Sequence, residues 1–243
     1  MNSHLTAAVV AAVLCAAAGW FVPALIRSIP EPEPDPDEEP LPGESADEPK
    51  VLYADLASAH GLAWKSAVAA GLSGAVVGAS LGRDWALLFL LPLVPLTVAL
   101  AIVDWQTRYL PTRLIAPAYV ATIVLVPVCW LVTRDTDDLV RAGLGWLVAG
   151  GLFFLMWVIY PRGIGYGDVR LSGVLGIALG YLGWGELLVG VYGGFLLGGI
   201  GGGLLSLVRI VHRKAYPFGP FMLVGALLGV AFGAEVWSYL VND

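Results

Sequence analysis

WALLFLLPLVPLTVALAIVDWQTRYLPTRLIAPAYVATIVLVPVCWLV, residues 85–132, consists of two apolar runs joined by one short polar hinge. Each run, 85–103 and 114–132, approaches the ~20 residues that an α-helix needs to cross a ~30 Å hydrocarbon core. Outward from this pair, length and polar punctuation pick out six further segments: 5–26, 61–80, 139–160, 169–185, 187–210 and 218–241. The segment 169–185 is short and glycine-rich, and its separation from the next rests on Gly185 and Glu186 alone. With 58% apolar residues, 13% charged residues and a mean hydropathy of +0.80, the 243-residue chain reads as all-α and polytopic, with about eight transmembrane helices, and not as a soluble domain.

The net charge of -6 describes one place: nine of the nineteen acids lie in EPEPDPDEEPLPGESADE, residues 31–48. That stretch is too polar and proline-rich to build a core, so it reads as a disordered tether, with an acidic docking tail as the functional alternative. The chain divides into a first helix (1–30), the tether (31–60) and a membrane domain (61–243). The N-terminal run lacks the basic flank of a secretory signal and reaches spanning length before Arg27, which predicts a retained helix. If the N-terminus faces out, ten of the thirteen Lys and Arg residues fall on inner segments, leaving Arg83, Arg134 and Arg141 outside. Such a bias marks the cytoplasmic face.

Cys15 and Cys129 sit in separate apolar runs and read as small buried hydrophobes, not as a disulfide or zinc ligands. His4, His60 and His212 are dispersed and suggest no metal site. Arg209, Arg213 and Lys214 form a basic inner edge whose first reading is topology retention, with anionic lipid as the alternative. The glycines of GGIGGG, 198–203, suggest close helix packing or bending. Nothing in this pattern points to nucleic acid.

Asp104 and Asp168 stand at the ends of apolar segments, where an ionisable group costs several kcal/mol unless solvated or paired and so marks a functional position. Asp104 closes the run 85–103, and Pro111 follows seven positions later at the re-entry into the next span. Proline restricts the residue before it and suits a helix start, so Leu110–Pro111 is expected to fix the turn. Arg108 and Arg113 read as positive-inside markers, and Trp105 as an interfacial anchor. Before Asp168, Gly163, Gly165 and Gly167 permit close backbone approach or positive φ. GIGYG is no nucleotide loop: the Walker lysine and the strand–helix setting are missing. Tyr166 reads as an anchor or a packing partner of the site.

Two carboxyl groups that share one proton and a water can divide the labour of peptide hydrolysis. The ionised member draws a proton from the attacking water, while the protonated member supports the tetrahedral oxyanion. The alternative use of two membrane acids is ion or proton coupling in a transporter. Their position at span ends, with no visible repeat of halves, favours chemistry.

These motifs resemble the prepilin peptidases, the type IV leader peptidase family of GxGD-type intramembrane aspartyl proteases. The family's Asp, six residues, Pro pattern is matched by Asp104–Pro111 (DWQTRYLP), and its Gly-x-Gly-Asp motif by Gly165, Tyr166, Gly167 and Asp168. Val169, Arg170 and Leu171 resemble the run after that motif, with arginine for the commoner lysine. PFGPF, Pro217 through Gly219 and Pro220 to Phe221, resembles the segment that opens the last helix. The likeness covers about residues 61–241. Presenilin-like proteases share the glycine–aspartate pattern, but their late Pro-Ala-Leu segment is not evident here.

The resemblance implies an aspartic endopeptidase of the bacterial cytoplasmic membrane that removes the leader from type IV prepilins or pseudopilins at the cytoplasmic face. Asp104 and Asp168 would be its catalytic pair, and proteolysis would need no metal or cofactor. Many members also methylate the new N-terminus with S-adenosylmethionine and carry a first cytoplasmic domain with paired zinc-binding cysteines. Here GWFVPALIRSIP, 19–30, resembles a degenerate family segment, but no cysteine lies between Cys15 and Cys129. The zinc domain is therefore expected to be lacking. The residues leave methylation, substrate and oligomeric state open.

Overall fold

The computed structural model describes residues 3–31, 51–161, 163–201 and 217–242. Most of the acidic tether (32–50), Arg162 and the segment 202–216, with Arg209, His212, Arg213 and Lys214, lie outside the described residues.

Helices account for nearly all of the described chain. Helix α1 (Ser3–Gly19) and the short α2 (Val22–Arg27) form one apolar rod of 25 residues. Pro23 falls in the first turn of α2, where its missing N–H breaks no helical bond. After α3 (Tyr53–Ser58) come the long helices α4 (Leu62–Leu81), α5 (Leu87–Thr107) and α6 (Thr112–Thr133). Helix α7 (Thr136–Gly145) runs through a π-helical turn, Trp146–Gly150, into α8 (Gly151–Ile159). Then follow α9 (Tyr166–Leu182), α10 (Trp184–Leu196) with a π-helical turn at Leu197–Gly201, and α11 (Gly219–Asn242). The protein is an all-α, polytopic membrane protein in which six described helices are long and apolar enough to span: Ser3–Arg27, Leu62–Leu81, Leu87–Thr107, Thr112–Thr133, Thr136–Ile159 and Gly219–Asn242. The two remaining segments expected to span appear as the shorter α9 and Trp184–Ile200.

Large apolar side chains such as Leu5, Val9, Val13, Val120 and Ile123 are exposed on the outside, where hydrocarbon takes the place of water. In lipid no hydrophobic gain draws helices together, so contact depends on close packing of small residues. Helix α1 presents Ala7, Ala11, Cys15 and Gly19, spaced by four, to Ala70, Gly74 and Gly78 of α4. A Cβ on Gly74 would stand 2.6 Å from the Ala11 carbonyl oxygen, a separation only glycine permits. His4 meets the Ala79 carbonyl at 2.9 Å, so the two helices run antiparallel. Helices α10 and α11 meet through Gly190 and Gly194 against Gly225 and Gly229 in the same manner. At one end Arg141 donates to the Gly180 and Tyr181 carbonyls and pairs with Asp138, closing the C-terminus of α9. Cys15 and Cys129 are both buried and free; the Cys129 thiol donates to the Trp85 carbonyl at 3.2 Å.

Several boundaries differ from the sequence reading: the break between the sixth and seventh segments falls at Gly183, with Gly185 and Glu186 inside the first turn of α10, and α7 starts at Thr136 and not at 139. Two further differences lie at the special aspartates. Helix α5 continues to Thr107, so Asp104 lies inside its last turns and not at its end. Helix α9 begins at Tyr166, three positions before the expected start at 169, because Gly165 serves as N-cap and Asp168 reaches back to its N–H. A hydrogen-bonded first turn extends the helix through residues whose glycines read as loop.

Candidate active site

Among the described residues, Asp104 and Asp168 are the buried charged groups, 4% and 8% exposed. Three chain segments converge on them. The first is the hinge after α5, where Arg108 takes the left-handed conformation (φ 53) and its N–H closes on the Asp104 carbonyl at 2.8 Å. Pro111 then sits extended (φ -68, ψ 134) as the N-cap of α6, which puts the turn where the proline predicted it. Leu110, between them, is buried and points inward.

The second segment is the start of α9. Asp168 Oδ2 accepts from the Gly165 N–H at 3.2 Å, while Oδ1, also buried, has no hydrogen-bond partner among the described residues. Gly163, Gly165 and Gly167 do not use positive φ; the positive-φ glycines among the described residues are Gly61 and Gly82. Close approach is what matters: a Cβ on Gly167 would lie 2.7 Å from Leu110 Cβ. Arg170 ties the same turn to the hinge, donating to Thr112 Oγ1 and, at 3.4 Å, to the Leu110 carbonyl. Its guanidinium lies 5.4 Å from the ring centre of Tyr166, which packs in turn on Trp157.

The third is the opening of α11. Pro217 is buried, Phe218 packs between Phe153 and Phe195, and the Gly219 N–H donates to Asp104 Oδ2 at 2.9 Å. A Cβ on Gly219 would stand 2.7 Å from that oxygen and 3.5 Å from Leu110 Cδ1. Leu110 thus wedges between Gly167, the residue before Asp168, and Gly219, the residue that holds Asp104. The two carboxyl groups are thereby carried on segments that share one leucine side chain.

All nine residues singled out from the motifs gather here: Asp104, Pro111, Gly165, Gly167, Asp168, Arg170, Pro217, Gly219 and Pro220 belong to these three segments. The inward side chain of Leu110 and the hydroxyl of Thr112 were not anticipated, since a leucine and a threonine in a hinge carry no signal of their own. Trp105 is exposed beside the site, and Arg113 and His60 are exposed as well.

Residues 90–234 match the model of the type IV leader peptidase family. The chain belongs to that family. It is similar to the prepilin leader peptidase/N-methyltransferase of Aeromonas salmonicida strain A449, 29% identical over 169 residues, which cover 69% of this chain and 57% of that protein. The protein of that description from Burkholderia pseudomallei strain K96243 is 30% identical over 182 residues, covering 69% of this chain and 55% of its own length. That of Bacillus subtilis strain 168 is 26% identical over 154 residues, covering 61% and 57%. This member of the family therefore spans little more than half the length of those curated relatives. No solved structure matches it.

Proposed function

We propose that this chain is a prepilin leader peptidase, an aspartic endopeptidase that cleaves type IV pilin-like precursors with Asp104 and Asp168 as its catalytic pair. The observation that carries the reading is that its two buried carboxyl groups, 64 positions apart in sequence, are gathered by backbone amides and a shared leucine wedge. An isolated buried charge is costly in a membrane, whereas two carboxyl groups that share a proton carry one charge between them.

In the proposed reaction a water binds at the pair, with Asp168 Oδ1 supplying an acceptor that no other described residue engages. The ionised carboxyl takes a proton as the water oxygen bonds to the scissile carbonyl carbon, and the carboxylic acid donates a hydrogen bond to the oxyanion. Collapse breaks the C–N bond, and the leaving amine takes a proton from the pair, which regenerates the single shared proton. Gly219 and Gly165 hold each carboxyl group through backbone N–H groups, so its orientation does not depend on a flexible side chain.

In this reading eight helices cross the bacterial cytoplasmic membrane, the N-terminus lies outside, and the pair opens to the cytoplasmic side, where the basic residues gather. Proteolysis by the pair calls on no metal. Methyl transfer to the new N-terminus, the second activity named for the relatives, would draw its methyl group from S-adenosylmethionine. The reading is tested by reconstituting the purified protein with pilin-like precursors. Intact mass of the products is expected to show loss of the leader; precursors left whole by a well-folded enzyme would reject the assignment.

A further inference from the structure

The peptide plane that joins Phe218 to Gly219 serves two partners. Its carbonyl accepts from the N–H groups of Phe221 and Met222 at 3.1 Å each and so starts α11, while its N–H donates to Asp104 Oδ2 at 2.9 Å. A peptide unit is planar and stiff, so whatever turns one of these groups turns the other. We propose that Phe218 is a positioning residue: its ring, held in a seat made by Phe153, Phe195 and Gly198, sets the angle of this plane and with it the grip of Gly219 on Asp104.

Three observations carry it. Phe153 of α8 and Phe195 of α10 stack with their ring centres 5.0 Å apart, and the Phe218 ring centre lies 6.0 Å from the first and 5.4 Å from the second. All three separations fall in the ~4.5–7 Å range of favourable ring pairs. Phe153 is 2% exposed, so the seat belongs to the interior of the bundle and not to its lipid-facing surface.

The second observation concerns the glycine run that opens at Gly198. Where Gly194 admits the backbone of α11 at Met222, Gly198 admits a side chain: a Cβ there would run into the edge of the Phe218 ring. Gly198 is buried. Its neighbour Gly199 is exposed, and a Cβ on it would meet nothing within 4 Å. One glycine of the run thus has a specific task, which is to leave room for the ring.

The third is the backbone around the seat. Phe153 follows the π-helical turn Trp146–Gly150, and Gly198 lies inside the turn Leu197–Gly201. Such turns are rare and concentrate at functional sites, and the extra residue in each redirects the side chains beside it. Both walls of the seat are therefore shaped by departures from regular helix.

The test reads the Gly219 amide directly. Full-length protein labelled with 13C at phenylalanine carbonyls and 15N at glycine gives two correlated signals, because the chain contains two Phe–Gly pairs, Phe218–Gly219 and Phe232–Gly233. Asp104→Ala removes the acceptor and identifies the Gly219 signal by moving its proton upfield. Gly198→Ala is expected to move the same signal in the same direction and to leave that of Gly233 in place, while Gly199→Ala moves neither. Should Gly198→Ala fail to fold, Phe195→Leu, which opens the seat instead of filling it, is expected to move the Gly219 signal. A Gly219 signal unmoved in every folded seat variant overturns the inference.

Kinetics supply the second arm, which rests on the protease reading. Gly198→Ala is expected to lower kcat on a pilin-like precursor by about tenfold with KM little changed, the split of a group that orients the carboxyl pair and does not bind substrate. Gly199→Ala should cleave as wild type does. Gly198→Ala combined with Phe218→Leu should cost less than the two single changes together, since the shorter side chain no longer meets the added methyl group. Costs that simply add would mean that Gly198 acts on something other than Phe218 and would overturn the inference. The labelled spectrum does not depend on turnover, so a displaced Gly219 signal in a chain that cleaves no precursor would keep this inference and reject the protease reading instead.

Discussion

The backbone N–H of Gly219 donates to Asp104 Oδ2 at 2.9 Å across 115 positions of sequence. A glycine is required there because a Cβ would stand 2.7 Å from the oxygen it serves. Gly219→Ala is therefore expected to push Asp104 out of line. A misplacement of about 1 Å costs on the order of 100-fold in rate, to be read as kcat on a pilin-like precursor, with normal membrane insertion. An alanine variant of full activity would show that this contact does not orient the carboxyl group.

Arg170 joins the turn that carries Asp168 to the hinge that follows Asp104, through Thr112 Oγ1 and the Leu110 carbonyl. Arg170→Ala is expected to lower kcat by about tenfold, and Arg170→Lys to recover part of it, since an ammonium can reach one acceptor but not fork between two. Thr112→Val combined with Arg170→Ala should cost less than the sum of the two single changes, the sign of one shared contact. Strict additivity would separate them.

Helix α1 is held by close approach. Gly74→Leu forces a side chain toward the Ala11 carbonyl and Cys15 and is expected to destabilise the fold by about 1–3 kcal/mol. Thermal unfolding in detergent reads this as a lower Tm. The exposed Val9→Ala change on the opposite face of α1 is the control and should move it little.

Glu31 and Tyr53 fasten the two sides of the acidic tether. Both Glu31 carboxyl oxygens accept from the first amides of α3, Tyr53 and Ala54, at 3.0 Å each. Burial, with the charges of Tyr109 and Glu31 adding to it, pushes the Tyr53 phenol up to about 12 from an ordinary 10. A raised phenol favours the folded state while it is neutral, so its contribution is complete below pH 10 and lost as pH rises toward 12. Stability should fall across that window, and Tyr53→Phe should flatten the fall. An unchanged alkaline slope in the phenylalanine variant would place the titrating group elsewhere.

Spans were legible because apolar length alone marks them, and the aspartates because charge is so costly at their depth. Their surroundings were less so. The glycines before Asp168 announced either positive φ or close approach, and only the position of Leu110 against Gly167 decides for approach. The N-terminus of α9 was read three positions late because Gly165 and Asp168 cap it in a way that apolar counting does not register. Gly219 was visible as part of a motif, yet its hydrogen bond depends on a fold that brings α11 to α5.

The central claim is that Asp104 and Asp168 work as one pair, and intact mass of a precursor co-expressed with wild type, Asp104→Asn or Asp168→Asn tests it most directly. The account predicts leader loss with wild type and none with either variant, each variant inserting into the membrane at normal levels. Full cleavage by either folded variant would contradict it.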